Sequence, residues 1–265
     1  MKAIILAAGL GTRLRPLTNT MPKPLLPVGG TPLIVWNLLL LRRHKFREVL
    51  INLHYLGPMI EQALGDGSRY GLRITYSHEP IILGTGGGLK KAEGFFAGRP
   101  ALVLNGDTLI ELDLERLVET HHNGSPTVTM VLREDPEAAQ WGLVEVDEDH
   151  RVHRINGRGR AETEASAKPL QPLRPRMFAG LHILHPRVLR RLPPVGTPCS
   201  IIDAYVDALQ DNELVRGFDA TGYWSDVGTP ERYAQAEQDV LADRISLGAR
   251  QAPKDAPSSP TVPRP

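Results

Sequence analysis

Arg13 and Arg15 lie in a glycine-bearing stretch, Gly9-Leu10-Gly11-Thr12-Arg13-Leu14-Arg15, and Lys23 follows between Pro22 and Pro24. Guanidinium forks suit phosphate oxygens, which they grip with paired donors. Glycines let a backbone turn and bring its N–H groups close to a ligand. The flanking prolines stiffen the chain around Lys23. Much further along, two acids stand in glycine-bounded loops: Asp107 after Asn105-Gly106, and Asp226 shortly before Gly228. Mg²⁺ usually accepts two or three such oxygens together with substrate phosphates, because it keeps part of its water shell. A basic phosphate grip with two carboxylates suits phosphoryl or nucleotidyl transfer from a triphosphate, provided that the two aspartates meet in space.

Two familiar phosphate loops are excluded. A dinucleotide fingerprint needs a third glycine where Leu14 stands. A P-loop needs Gly-Lys-Ser/Thr after four residues, and none occurs. The plainer alternative is a tight turn whose basic residues face water. A lone aspartate after a strand, such as Asp107, is also often a turn residue or a helix cap.

The elements that must position these groups alternate. An apolar run over 2–8 reads as a buried strand ending at Gly9. Thr31 as cap and Pro32 at the first helical position predict a mostly apolar helix to about Arg43. Strands are expected over 48–53 and 72–77, with a short helix over 58–64 between them. This alternation argues for a largely parallel sheet with helices on both faces. Gly84-Thr85-Gly86-Gly87-Gly88 reads as a loop before a helix over 89–95, because consecutive glycines weaken a helix start. It either brings backbone close to something flat or charged, or is simply flexible. The apolar run over 100–104 suits a central parallel strand, and ligands of open α/β sheets bind beyond such strand ends.

Beyond it, Asp113 is placed to cap a helix over 114–122, with His121 and His122 read as solvent residues. Strands are expected over 127–132, 141–147, 151–155, 177–184 and 214–218, the second and third forming a hairpin. Residues 158–175 have no period and read as a mobile loop. Helices follow over 186–192, 200–210 and from Thr229-Pro230 to about Asp243. Residues 1–248 are expected to form one domain, and the proline- and serine-rich stretch 249–265 a disordered tail. No internal or hexapeptide repeat occurs.

A chain of 265 residues with an apolar fraction of 41% can bury a substantial core. A formal charge of +1 gives no reason to propose nucleic acid or an anionic membrane as partner. The single cysteine, Cys199, fits a reducing compartment. No signal-like apolar region opens the sequence, because its first apolar run breaks at Gly9, and no apolar stretch approaches 18 residues. The expected setting is the cytoplasm, as a monomer or small homo-oligomer acting on small molecules.

LAAGLGTRLRP, MPKPLLPV, GTGGG, LNGD at 104–107 and YWSDVGTPERY together resemble the sugar-phosphate nucleotidyltransferase family over roughly residues 1–243. The first motif combined with the proline-flanked lysine is the specific part; Asn-Gly-Asp alone is weak. The resemblance implies a Rossmann-like three-layer α/β sandwich with a mixed, mainly parallel central sheet, of the nucleotide-diphospho-sugar transferase type. It implies an enzyme that joins an NTP to a sugar 1-phosphate and releases pyrophosphate with Mg²⁺ as cofactor. Asp107 and Asp226 match the metal ligands, and Arg13, Lys23 and Asp107 the catalytic set. Leu6, Ala8, Gly9, Gly11, Thr12, Arg13, Lys23, Glu79, Gly84 and Asn105 match nucleotide-binding positions. Gly142 and Gly180 match glycines beside the sugar. The family's Glu-Lys-Pro after the hairpin is replaced here by Gly157-Arg158-Gly159, so either Arg158 or the later Lys168 would hold the sugar phosphate. Mannose-1-phosphate guanylyltransferases come first among the implied activities. Uridylyl- or thymidylyltransferases for glucose 1-phosphate or N-acetylmuramate 1-phosphate come next, and a non-catalytic nucleotide-sugar-binding regulator is the alternative from another class.

Overall fold

Residues 1–160 and 172–245 are described by a computed structural model. Lys168 and the stretch 249–265 lie outside the described residues. The chain divides into two compact units. Of the described residues, one comprises Lys2–Ile82, Leu104–Leu112 and 222–245; the other comprises Met1, Leu83–Val103, 113–160 and 172–221.

The first unit carries the parallel strands. Lys2–Leu6 pairs with Glu48–Leu53, Ala3 opposite Val49 and Leu6 opposite Asn52. Glu48–Leu53 pairs in turn with Arg73–His78. Ala3, Ile4, Ile5, Val49 and Ile51 are fully buried, as expected for strands covered on both faces. The helix Leu33–Arg43 is buried from Leu33 through Leu41, so it is a core helix rather than an amphipathic one. Its start departs from expectation. Thr31 does not cap it, and Pro32 stands at the cap position rather than inside the helix; the two residues pair as a short strand with Pro27–Val28, Val28 opposite Thr31. Hydrogen bonding to the preceding hairpin outcompetes the local cap, and the Trp36 indole N–H fixes the junction by donating to the Val28 carbonyl at 3.1 Å.

The second unit is mixed. Val128–Arg133 pairs parallel with Val215–Asp219 and antiparallel with Arg174–Leu184. Leu143–Val146 joins Arg174–Leu184 to Val152–Ile155, forming the expected hairpin. Arg158–Gly159 adds an edge strand where a loop was expected, and the strand across the gap already begins at Arg174. The helix Leu114–Gly124 is capped as read: the Asp113 carboxylate accepts from Arg116 N–H at 3.0 Å. His121, however, is buried, and its Nδ1 lies 2.9 Å from Thr129 Oγ1. Only His122 of the pair faces water.

Gly84-Thr85-Gly86-Gly87-Gly88 lies inside a helix, Gly84–Lys91. The poor helix propensity is overruled by packing. A Cβ on Gly84, Gly86 or Gly87 would stand 2.6–2.8 Å from the backbone at Cys199, Ser200 or Thr197. The close approach expected of these glycines is therefore to the chain itself. Thr85 Oγ1 completes the contact by accepting from Ile201 N–H at 3.0 Å.

Candidate active site

The first unit brings Asp107 and Asp226 together. After the strand Ala101–Asn105 the chain turns through Gly106 and Asp107 and continues as Thr108–Ile110. That strand pairs antiparallel with Trp224–Asp226: Ile110 opposite Trp224, Thr108 opposite Asp226. The ribbon is closed at one end by Val227 N–H donating to the Asp107 carbonyl at 3.1 Å. At the other end Glu111 N–H donates to Tyr223 O at 2.9 Å. Each strand of this ribbon has only three residues, too short for a period to show in the sequence.

Lys23 reaches the same place from the N-terminal segment. It opens the turn Lys23–Leu25, is almost wholly buried, and donates from Nζ to Asp107 Oδ2 at 2.6 Å. Arg232, in the first turn of the helix Pro230–Leu241, donates to Asp226 Oδ1 at 3.2 Å. Thr229 caps that helix as expected, accepting from Arg232 N–H at 3.4 Å. Gly228 leaves the room: a Cβ there would stand 2.2 Å from Asp226 Oδ1 and 3.0 Å from Arg13 Nη2. Arg13, Lys23, Asp107, Asp226 and Arg232 thus form one charged cluster.

Burial raises the Asp226 pKa, and the neighbouring Asp107 charge raises it further; Lys23, Arg232 and Arg13 pull it back. An acid that resists ionisation beside a second carboxylate is relieved by a cation. The donors are all oxygen, which suits a hard ion such as Mg²⁺. Among the described residues no group of three or more His, Cys, Asp or Glu is placed to hold a metal. Two carboxylates alone fit an ion that takes its other ligands from water and phosphate, and fit zinc poorly.

The glycine loop leaves the strand at Leu6, whose carbonyl accepts from Gly106 N–H at 2.8 Å. Gly11 turns the backbone with φ 63°, and its carbonyl accepts from Thr18 Oγ1 at 2.8 Å. Thr12–Leu14 forms a short turn, and Gly9 is exposed. Glu79 is buried, and its carboxylate accepts from Asn52 Nδ2 at 2.7 Å. Asn52 Oδ1 in turn accepts from Ala7 N–H at 2.7 Å. The Glu79 carbonyl accepts from His54 Nδ1 at 2.7 Å. Glu79 is therefore tied, through Asn52, to the start of the loop. Asn52 carried no signal in the sequence, being an amide within a strand. Arg232 lies in the YWSDVGTPERY stretch, but nothing there marked its side chain as the partner of Asp226.

The residue pattern recurs in known proteins. The family model described as nucleotidyl transferase matches residues 2–243. The chain belongs to the nucleotidyl transferase family. It is 38% identical over 245 residues to the N-acetylmuramate alpha-1-phosphate uridylyltransferase of Neisseria meningitidis, covering 89% of this chain and 97% of that protein. It is 32% identical over 241 residues to the mannose-1-phosphate guanylyltransferase of Mycobacterium tuberculosis, covering 90% of this chain but only 64% of that protein. The structure of a UDP-glucose pyrophosphorylase from Acinetobacter baumanii shares the fold at a TM-score of 0.75 and 19% identity, over 94% and 96% of the two chains. The mixed α/β architecture expected from the sequence is that of this structural neighbour.

In this nucleotidyl transferase the positions matched to the sugar lie in the second unit. Gly142 and Gly180 share one ladder: the Gly142 carbonyl accepts from Phe178 N–H at 3.2 Å, and Gly180 has φ 75° where the register shifts between Phe178 and His182. Arg158 stands apart on the edge strand and donates to Asp203 Oδ1 at 2.9 Å. Gly84 is accounted for by the Cys199 carbonyl against it. Asn105 offers its carbonyl to Asn37 Nδ2 at 3.5 Å. No helix of the described residues is long and apolar enough to cross a membrane.

Proposed function

We propose that this protein transfers a uridylyl group from UTP to a sugar 1-phosphate of the N-acetylmuramate class, releasing pyrophosphate. The observation that carries the transfer chemistry is the meeting of Asp107 and Asp226 on one ribbon, with Lys23 and Arg13 beside them. The choice of acceptor is supported by similarity that spans 97% of the Neisseria uridylyltransferase, against 64% of the mycobacterial guanylyltransferase.

The acceptor phosphate carries an anionic oxygen near neutrality, because its second pKa is about 6. It needs no protein base. Its oxygen forms a bond to the α-phosphorus while the bond to the bridging oxygen of the β-phosphate breaks, and that electron pair leaves with pyrophosphate. The chain's task is to align the two and to neutralise charge. Arg13 and Lys23 supply fixed positive charge for the triphosphate. The loop over 6–13 supplies backbone donors, with Asn52 and Glu79 holding its root. Gly142 and Gly180 leave room for the sugar, and Arg158 supplies charge for its phosphate. Asp107 and Asp226 would hold Mg²⁺, which would supply positive charge to neutralise phosphate oxygens.

Pyrophosphate release measured over five NTPs and several sugar 1-phosphates tests this. Turnover with UTP and an N-acetylmuramate-type acceptor is expected. Preference for GTP and mannose 1-phosphate would replace the acceptor and base but keep the reaction. No release from any pair would point to a binding protein.

A further inference from the structure

Each carboxylate of the charged cluster has one oxygen already committed to a basic side chain. Lys23 holds Asp107 Oδ2 at 2.6 Å, and Arg232 holds Asp226 Oδ1 at 3.2 Å. In both cases the second oxygen is the one left for a ligand. The two commitments differ in origin. Both lie in stretches that carry the resemblance, but Lys23 is held between two prolines, whereas Arg232 reaches Asp226 from the first turn of the helix that Thr229 and Pro230 start. That helix is anchored at several points to the segment that carries Lys23. Tyr233 Oη donates to the Pro27 carbonyl at 2.6 Å, and the Glu237 carboxylate accepts from Gly29 N–H at 2.9 Å. Gly29 is packed against Val240 so closely that a Cβ would stand 2.1 Å from it. Arg232 therefore approaches Asp226 from a fixed base.

We propose that Arg232 is a positioning residue. By holding Asp226 Oδ1 it keeps the carboxylate rotated so that its other oxygen is presented beside Asp107, and so builds the cation site before the cation arrives. The proposal rests on the reading of Asp107 and Asp226 as the metal pair. It has an opposite among simple electrostatic readings. If Arg232 were only a counter-ion, its positive charge would compete with the metal, and its removal would tighten metal binding. If it orients Asp226, its removal weakens metal binding despite the lost repulsion.

The sign decides. Mn²⁺ binding to the full chain, without nucleotide, is followed by the electron paramagnetic resonance signal of free Mn²⁺. For Arg232→Gln the dissociation constant is expected to rise about ten- to hundredfold, the scale seen when groups supporting a metal ligand are removed. Arg232→Lys, which keeps the charge and loses the fork, is expected to fall between the two. With saturating Mg²⁺ the Gln variant should recover much of its kcat, while the KM for NTP stays near that of the wild type. Unchanged or tighter Mn²⁺ binding by Arg232→Gln overturns the proposal. If that variant does not fold by circular dichroism, Arg232→Lys decides alone, and wild-type affinity there overturns it. A wild-type protein that binds Mn²⁺ but releases no pyrophosphate from any substrate pair would instead bring down the functional reading.

Discussion

Lys23 and Arg158 are both cations that family resemblance sets against phosphate, yet the two units hold them differently. The Lys23 side chain is 8% exposed and 2.6 Å from Asp107. The Arg158 side chain is 56% exposed and 2.9 Å from an Asp203 that is itself half exposed. One cation is fixed by burial and by a partner that belongs to the site. The other sits on a two-residue edge strand, where its partner is a surface acid. Charge that is fixed before the ligand arrives needs no reorganisation during reaction, which is where electrostatic catalysis gains most. Charge in a solvated pair can be redirected at little cost. On the proposed function, the first unit would hold the reaction centre and the second an adaptable binding face.

The largest effect should follow from Asp107. Asp107→Asn keeps an oxygen that accepts from Lys23 but removes the negative charge. We expect a folded protein whose kcat/KM falls by about 3 kcal/mol or more, the scale of a single electrostatic catalytic group. Steady-state pyrophosphate release under saturating Mg²⁺ measures it. Near-normal turnover would mean that the fixed cluster is not the reaction centre.

Asn52 tests how rigidly the same unit is tied. Its amide bonds both Ala7 N–H and the Glu79 carboxylate, each at 2.7 Å in buried surroundings. Asn52→Ala removes both bonds, and each buried group that loses a partner costs about 1–3 kcal/mol. Urea unfolding should show a loss of about 2 kcal/mol or more, with a raised KM for NTP because the loop root is freed. A loss under about 0.5 kcal/mol, the range of an ordinary surface substitution, would show the tie to be slack.

How much of this was legible beforehand follows the same division. In the first unit, strand, glycine loop, Lys23 and both aspartates lie in local motifs, and local motifs are what a sequence displays. Their meeting was implied by the family resemblance and not by the residue pattern itself. It depends on a ribbon of three-residue strands whose pairing is non-local. The reading failed where tertiary contacts overrode local preference, at Thr31-Pro32 in the first unit and at three places in the second. Three glycines are helical because the Thr197–Ser200 segment packs against them. His121 is buried because the Thr129 hydroxyl waits for it. Arg158 joins an edge strand because Ile155 pairs with it.

The second unit should betray itself through pH. His182 is fully buried on the strand Arg174–Leu184, between Phe178 and Tyr205, with ring centroids at 5.5 and 5.6 Å. Among the described residues neither ring nitrogen has a hydrogen-bond partner. Burial pushes its pKa down to about 3 from an ordinary 6.5. The folded form therefore stays neutral while the unfolded chain takes a proton. The stability it contributes is fully present above about pH 6.5 and is lost as pH falls toward 3. At pH 5 that loss is about 2 kcal/mol from this group. Burial lowers His121 to about 4, with the same sign. His182→Leu should flatten the acid limb of a urea-denaturation series between pH 7 and pH 5 by that amount. An unchanged limb would remove the buried neutral imidazole from the account.

The smallest effect is the sharpest test of the contrast between the two cations. If Arg158 leaves Asp203 to hold the acceptor phosphate, Asp203 competes with the substrate. Asp203→Asn weakens the pair without emptying the site, and because both partners are largely solvated its effect on stability should stay within about 0.5 kcal/mol. The KM for the sugar 1-phosphate should fall by the worth of an exposed ion pair, about 0.2–1 kcal/mol or roughly a 1.4- to fivefold change, with kcat unaltered. Arg158→Ala should move the same KM upward, and in the double variant the gain from Asp203→Asn should vanish, because the two act through one cation. If Asp203→Asn raised the KM instead, the pair would be the working form of Arg158. The second unit would then also fix its charge in advance, and the difference between the units would be one of exposure alone.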